Sequence, residues 1–124
     1  MVVTINYNEK PIRFVANIPP GGEVTEEWTA KEDGEVSHFY YKFYGSMFKL
    51  EVQPMIEKLG TEIAVPLLGY ADGGNGVMVG DNEQIDEVLK ISLRKGDKLI
   101  VKGKNNHSSE YNTMNCRITV KELR

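Results

Sequence analysis

Apolar residues alternate with polar residues along most of this chain. Period-two alternation puts successive side chains on opposite sides of an extended backbone, so it predicts β-strands with one buried face. The clearest example is near the C-terminus, where apolar positions alternate with polar ones; the apolar positions are Met114, Cys116, Ile118 and Val120. The same rhythm recurs in residues 3–7, 12–18, 23–30, 35–44, 46–52, 61–68, 87–93 and 97–103.

Turn-forming residues separate these segments. Clusters of Gly, Pro, Asp and Asn favour turns because they supply positive φ angles, a fixed φ or local side-chain hydrogen bonds. Five such clusters occur, at Pro19–Gly22, Lys31–Gly34, Gly69–Gly76, Gly80–Asn82 and Lys95–Asp97. Their spacing of about 10 to 15 residues is typical of all-β sandwiches and barrels.

Two stretches are also compatible with helix. Gln53–Gly60 could form one or two turns, and residues 82–90 have Asn82 as a candidate N-cap. We interpret Glu87–Leu93 as a strand, because Leu89, Ile91 and Leu93 alternate up to a tight turn. Pro66 indicates an edge strand or a bulge, since proline has no amide hydrogen to donate to a neighbouring strand.

The pattern therefore predicts an all-β protein. We expect residues 1–124 to form one domain, a two-sheet antiparallel β-sandwich of jelly-roll type with about eight strands. An immunoglobulin-like sandwich is less favoured, because the Cys…Trp…Cys pattern is absent.

Composition excludes several classes. The chain has 124 residues, a net charge of −3 and scattered basic residues, which disfavours nucleic acid as a partner. No apolar run approaches the about 20 residues of a membrane span, so no membrane partner is expected. The start of the chain resembles no signal peptide, and Cys116 has no second cysteine to pair with. We expect a cytoplasmic location, or a virion if the protein derives from a phage.

More than half of the aromatic residues fall within ten positions, Phe39 to Phe48. If Phe39, Tyr41 and Phe43 face the sandwich interior, then Tyr40, Lys42 and Tyr44 face outwards. Three interpretations of that outer face stay open. A loop or sheet edge covers it, another protein binds it, or its rings stack on sugars. Trp28 either extends the patch or fills the core, and its alternation with Val24 and Ala30 favours the core.

Two segments resemble parts of a known class of domains. Residues 21–43 resemble a strand, a small Asp-Gly turn and an aromatic strand, and residues 91–103 resemble a hairpin with a Lys-Gly-Asp turn. This pairing is similar to small jelly-roll proteins of phage virions, namely head-decoration and fibre-associated proteins, and to some carbohydrate-binding modules. The resemblance to virion proteins implies a non-enzymatic, often trimeric protein docked on other virion chains. It carries over no site residue.

Catalytic chemistry is poorly represented. His38 and His107 are the only histidines, and a serine nucleophile beside His107 would lie in a polar loop without an orienting third group. Cys116 alternates with core positions, which predicts a buried, inert thiol. We therefore expect no enzyme activity and no cofactor.

One Gly-rich loop contains oxygen donors that suit a hard cation. Asp72, Asn75 and Asp81 are weak candidate calcium ligands, since calcium prefers carboxylate and amide oxygens. Their spacing does not match an EF-hand, and the same residues are those that a tight hairpin needs. A plain loop without metal is the preferred interpretation.

These observations lead to one functional hypothesis and one rival. The first is a structural or binding protein, a virion component such as a capsid decoration or fibre-associated protein, that contacts protein subunits and forms a homo-oligomer, with a trimer favoured. Its predicted interface residues are Tyr40, Lys42, Tyr44 and Trp28. The rival is a carbohydrate-binding module in which Tyr40, Tyr44 or Trp28 stacks on a glycan.

Overall fold

The computed structural model describes residues 7–42, 49–67, 78–79 and 84–123. Within these ranges the chain forms nine strands and no helix that could cross a membrane. The strands are β1 (Tyr7–Ile18), β2 (Glu23–Thr29), β3 (Gly34–Lys42), β4 (Leu50–Glu57), β5 (Ala64–Pro66), β6 (Met78–Val79), β7 (Gln84–Leu93), β8 (Lys98–Asn105) and β9 (Asn112–Leu123).

The strands form two antiparallel sheets. One has the order β1-β9-β3-β7, and the other has the order β2-β8-β4-β5, with the two-residue β6 also paired to β4. The first three strands pair with the last three in reverse order, β1 with β9, β2 with β8 and β3 with β7. The chain is thus one long antiparallel ribbon, and winding it brings β9 beside β3 and β8 beside β4. This topology is a jelly roll, as the sequence predicted.

The core lies between the two sheets. The alternating apolar positions of β9 all face it, with Met114, Ile118 and Val120 fully buried and Cys116 1% exposed. The other side chains that point into the core come from both sheets. The largest are Ile18, Val36, Phe39, Tyr41, Leu50, Val52, Leu93, Leu99 and Val101. The period-two assignment of β9 is therefore confirmed.

Side chains of the opposite sheet pack directly onto the backbone of Gly103 in β8. A β-carbon at this position would lie 2.8 Å from Ile18 Cδ1 and 2.9 Å from Met114 Sδ. Both distances are shorter than van der Waals contact, so a larger residue would require Ile18 and Met114 to shift.

One prediction about β4 is wrong. Residues 53–57, which could have been helical, are part of a strand. Pro54 is tolerated there because its carbonyl oxygen accepts a hydrogen bond from the Leu67 amide, at 3.0 Å. The amide nitrogen and carbonyl of one strand residue point to the same side. The proline nitrogen therefore points away from β8, to the side where β4 changes partner from β6 to β5, and the β4–β8 ladder loses no donor.

Three of the sheet edges carry residues that discourage pairing with another chain. Pro11 lies in the edge strand β1, and Pro66 lies in the edge strand β5, where the sequence placed an edge or a bulge. The edge strand β2 turns the half-buried Glu26 to its inner face, between Val24 and Trp28. Prolines and inward-pointing charges are recognised ways to protect a sheet edge.

The carboxylate of Asp97 joins three connections at one end of the sandwich. It is 2% exposed and accepts hydrogen bonds from the amides of Leu59 and Arg94, each at 2.9 Å. The Lys58 ammonium lies 2.9 Å from its second oxygen and also donates to the Ser92 carbonyl. The backbone carbonyl of Asp97 accepts from Ala30, at 2.8 Å. Burial opposes ionisation, but the two amides and Lys58 outweigh it and lower the pKa of Asp97.

Asn105 performs a similar role at the other end of β8. Its side chain is fully buried, and its amide donates to the carbonyls of Ile18 and Glu110 at 3.0 and 2.8 Å. Its oxygen accepts from the His107 amide and from the Asn112 side chain. Every buried polar atom of this side chain is thereby satisfied, and the β1–β2 and β8–β9 connections are held together.

Replacing Ile118 by Ala tests the strand register. We expect a loss of about 2 to 5 kcal/mol in the free energy of unfolding, because the side chain is fully buried and leaves a cavity. The neighbouring Thr119→Ala change should stay within about 0.5 kcal/mol, as for most surface sites. Chemical denaturation of both variants checks this, and equal losses at the two positions would contradict the register.

Replacing Asp97 by Ala should destabilise the protein by about 2 kcal/mol or more, because two buried amides lose their acceptor. The native pKa of Asp97 is lower than that of the unfolded chain, so its contribution is present above the ordinary pKa of 3.8. It is lost as the pH falls through the lower native pKa. A plot of the free energy of unfolding against pH should therefore be flatter for the variant than for the wild type between pH 3.8 and the lower native pKa. Parallel curves would show that Asp97 carries no such linkage.

Candidate functional site

A bulge in β3 decides which aromatic residues reach the surface. Against β9, Val36 pairs with Val120 but His38 pairs with Thr119, so Ser37 is an extra residue. Ser37 is nearly buried, and its hydroxyl donates to the Thr119 carbonyl at 3.2 Å. The extra residue reverses the alternation, so that Val36 and Phe39 both face the core although they are three positions apart.

The bulge turns His38 and Tyr40 to the outer side of the sheet. We call this outer surface the β3 face and define it by Val15, His38, Tyr40, Val88 and Arg117. The ladders place Arg117 beside Tyr40 and Val88 beside His38. Phe39 and Tyr41, by contrast, are fully buried, which is the first of the orientations that the sequence left open.

Tyr40 and Arg117 form the centre of the β3 face. The Arg117 guanidinium carbon lies 4.9 Å from the centre of the Tyr40 ring, a cation–π contact, and both residues are half-buried. The Nε atom of Arg117 is buried and has no hydrogen-bond partner among the described residues. Arg13 lies directly opposite Arg117 across the β1–β9 ladder, and like charges in this position repel. Asp86, opposite Tyr40 on β7, contacts His38, so the Arg117–Arg13 side of the centre carries two positive charges next to each other.

Apolar side chains flank this centre on both sides. Val88 is 78% exposed and Val15 is 52% exposed, so each offers aliphatic surface to solvent. The imidazole of His38 contacts the carboxylate of Asp86 on β7, and this contact holds the ring beside Tyr40. The face thus combines an aromatic–guanidinium stack with exposed aliphatic groups.

The structure separates the residues that the sequence grouped. Tyr40 lies on the β3 face, and Lys42 lies two positions further along the same strand. Trp28 lies in the other sheet, where it is half-buried and packs against the core. It therefore does not extend the surface around Tyr40. Tyr44 lies outside the described residues, as do Asp72, Asn75 and Asp81, the candidate calcium ligands.

The other titratable groups singled out by the sequence are engaged in the fold. His107 Nδ1 accepts hydrogen bonds from the amides of Ser109 and Glu110, at 3.1 and 3.0 Å. These two hydrogen bonds tie the polar loop to the His107 side chain. Cys116 is buried, and burial raises the pKa of its thiol to about 12. In the ranges that the structure covers, His, Cys, Asp and Glu form no group of three or more suited to a metal.

Known proteins show only weak similarity to this chain. No family model and no curated protein matches the chain. Among solved structures, the Yersinia pseudotuberculosis-derived mitogen aligns over 94% of this chain and 88% of its own, with a TM-score of 0.45 and 16% identity. The infectious bursal disease virus Gx strain structure aligns over 95% of this chain, with a TM-score of 0.41 and 13% identity. This chain spans about a third of the viral chain, with 32% covered.

The burial of Cys116 leads to a test with a thiol reagent. In mildly alkaline buffer the native protein should not react with Ellman's reagent, because a pKa of about 12 leaves almost no thiolate and the sulfur is covered. In a denaturing concentration of guanidinium chloride one thiol per chain should react. Rapid reaction of the native protein would show that β9 opens readily or that its register differs.

Proposed function

We propose that this chain is a non-enzymatic jelly-roll protein whose β3 face binds another protein within a larger assembly. The observation that carries the proposal is the stack of Tyr40 and Arg117 on the outer side of the sheet, flanked by the exposed Val15 and Val88. Tyrosine and arginine are enriched at the energetic centres of protein interfaces. An acidic group on the partner would pair with the outer nitrogens of the Arg117 guanidinium and offset its repulsion with Arg13.

The partner proposed is a further copy of the same chain, with a trimer favoured. A cyclic trimer brings one surface of a subunit against a different surface of the next, so a basic face needs an acidic surface elsewhere on the chain. The chain has 18 acidic and 15 basic residues, and exposed carboxylates such as Glu32 and Glu62 lie in the β2–β3 and β4–β5 connections at one end of the sandwich. A contact of standard size covers about 800 Å² on each partner, which the outer side of a four-stranded sheet can supply.

The finer proposal is a virion component, either a capsid decoration or a fibre-associated protein, which would place the chain in a virion. Jelly rolls are frequent in viral capsids, although they also occur in lectins and cupins, so the fold alone does not decide. Repeated weak contacts suit such a role because many copies act together, and avidity multiplies their strength.

Stacking of sugars on Tyr40 is less favoured. Arg117 lies over the ring at 4.9 Å and occupies one of the faces that a pyranose would need. A bound protein would leave the stack of Tyr40 and Arg117 intact and cover its outer side. A pyranose on the same ring face would have to displace Arg117.

The test compares two double variants of equal composition. Tyr40→Ala with Arg117→Ala removes the centre of the β3 face, whereas Tyr111→Ala with Arg94→Ala removes an exposed tyrosine and an exposed arginine from elsewhere. Sedimentation velocity over a range of concentrations should show that the first pair weakens self-association by about 30-fold or more, since central interface residues often contribute 2 kcal/mol. The second pair should leave it unchanged.

Thermal melting separates loss of contact from loss of fold. Both double variants should melt within a few degrees of the wild type, because the half-buried Tyr40 and Arg117 lie outside the core and a cation–π pair near the surface contributes only about 0.5 to 1 kcal/mol. A wild-type protein that stays monomeric at every concentration, or a first pair that assembles normally, would contradict the proposal.

A further inference from the structure

A polar cleft crosses the outer side of the second sheet, away from the β3 face. It has a volume of about 340 Å³ and lies over β8, with β2 on one side and β4 on the other. Ladder pairing arranges its side chains in two rows. One row is Glu23, Lys104 and Glu51, and the next is Thr25, Lys102 and Gln53.

The two rows alternate hydrogen-bond donors with acceptors. In the first row a carboxylate stands on each side of an ammonium group, and Lys104 lies 3.8 Å from Glu23. In the second row Lys102 lies between Thr25, which carries a hydroxyl, and Gln53, which carries an amide. Lys102 takes part in none of the ion pairs formed within the described residues. The two lysines and two glutamates balance in formal charge.

This arrangement restricts the chemistry of a ligand. Lys102 would attract an anion, but Glu51 and Glu23 would repel it. A cation would be attracted by the two glutamates and repelled by Lys102. A sugar hydroxyl both donates and accepts, so adjacent hydroxyls match adjacent carboxylates and ammonium groups. Hydrogen bonds to charged side chains are also stronger than those between neutral groups.

We propose that this cleft binds a neutral carbohydrate through Glu51, Lys102 and their neighbours in the two rows. A volume of about 340 Å³ lies at the lower end of the range for small-ligand sites, about 300 to 1,000 Å³, which suits one or two sugar rings. The site is distinct from the aromatic positions at which the sequence suggested sugar stacking. It does not rest on the proposed assembly, because every lining residue belongs to the opposite sheet.

The affinity of a single site is expected to be weak. None of the described lining residues is aromatic, so recognition depends on hydrogen bonds exchanged with water, which contribute little net free energy each. A multivalent array of sites raises the apparent affinity by about 10² to 10⁴. Detection therefore needs a multivalent format first and a monomer measurement second.

The first experiment presents the biotinylated chain on streptavidin to an array of neutral and acidic glycans. We expect binding to neutral glycans that persists at high salt. The best neutral oligosaccharide is then titrated into the isotope-labelled protein, and amide shifts should concentrate in residues 23–25, 51–53 and 102–104. Binding confined to acidic glycans and abolished by salt would overturn the proposal, as would an array without neutral binders. Shifts centred on the β3 face would also overturn it.

The second experiment compares matched variants on the same two strands. Lys102→Met with Glu51→Gln alters the cleft, whereas Lys98→Met with Glu57→Gln alters a cross-strand pair on the same side but outside it. The first pair should weaken glycan binding by about tenfold or more, and the second should leave it unchanged. Equal binding by both pairs would overturn the assignment of the cleft. Self-association should be unaffected in both, so failure here is distinguishable from failure of the proposed assembly.

Discussion

The buried carboxylate of Asp97 organises one end of this sandwich. It accepts hydrogen bonds from two backbone amides and an ammonium group, and its own carbonyl accepts a further amide. These contacts join the β2–β3, β4–β5 and β7–β8 connections around Asp97, the residue that precedes β8. Asn105 closes the opposite end of the same strand. Because buried polar groups hold β8 at both ends, the position of this strand in the middle of its sheet is fixed. The cleft over Lys102 depends on the position of β8.

Much of the fold could be predicted from the sequence because period-two alternation is a direct record of burial. Met114 to Val120 and Leu89 to Leu93 show that pattern without interruption, and both are strands. Gln53–Glu57 was ambiguous because Pro54 argues against a central strand. The reason it is tolerated lies in a change of partner strand, which no local pattern records.

The candidate site was only partly predictable. The aromatic run indicated an unusual surface at Tyr40, but nothing in the local sequence showed that Arg117, far along the chain, would stack on it. The bulge at Ser37 was also hidden, since serine is common in strands and turns alike. The cleft was missed because its two rows come from three strands that are distant in sequence. The residues of each row are ordinary surface types until the ladders bring them together.

The ladder between β1 and β9 has a consequence for how the molecule folds. It pairs Tyr7 with Leu123, so β1 has no partner in its own sheet until β9 has been synthesised. Contacts between residues so distant in sequence close large loops, and folding rates fall as such contacts dominate. The apolar side of β1, with Phe14 and Ile18, therefore stays without its partner strand for most of the time that a ribosome needs to synthesise residues 7–123. Chaperone binding to this strand, followed by release once β9 emerges, is the expected course of its maturation.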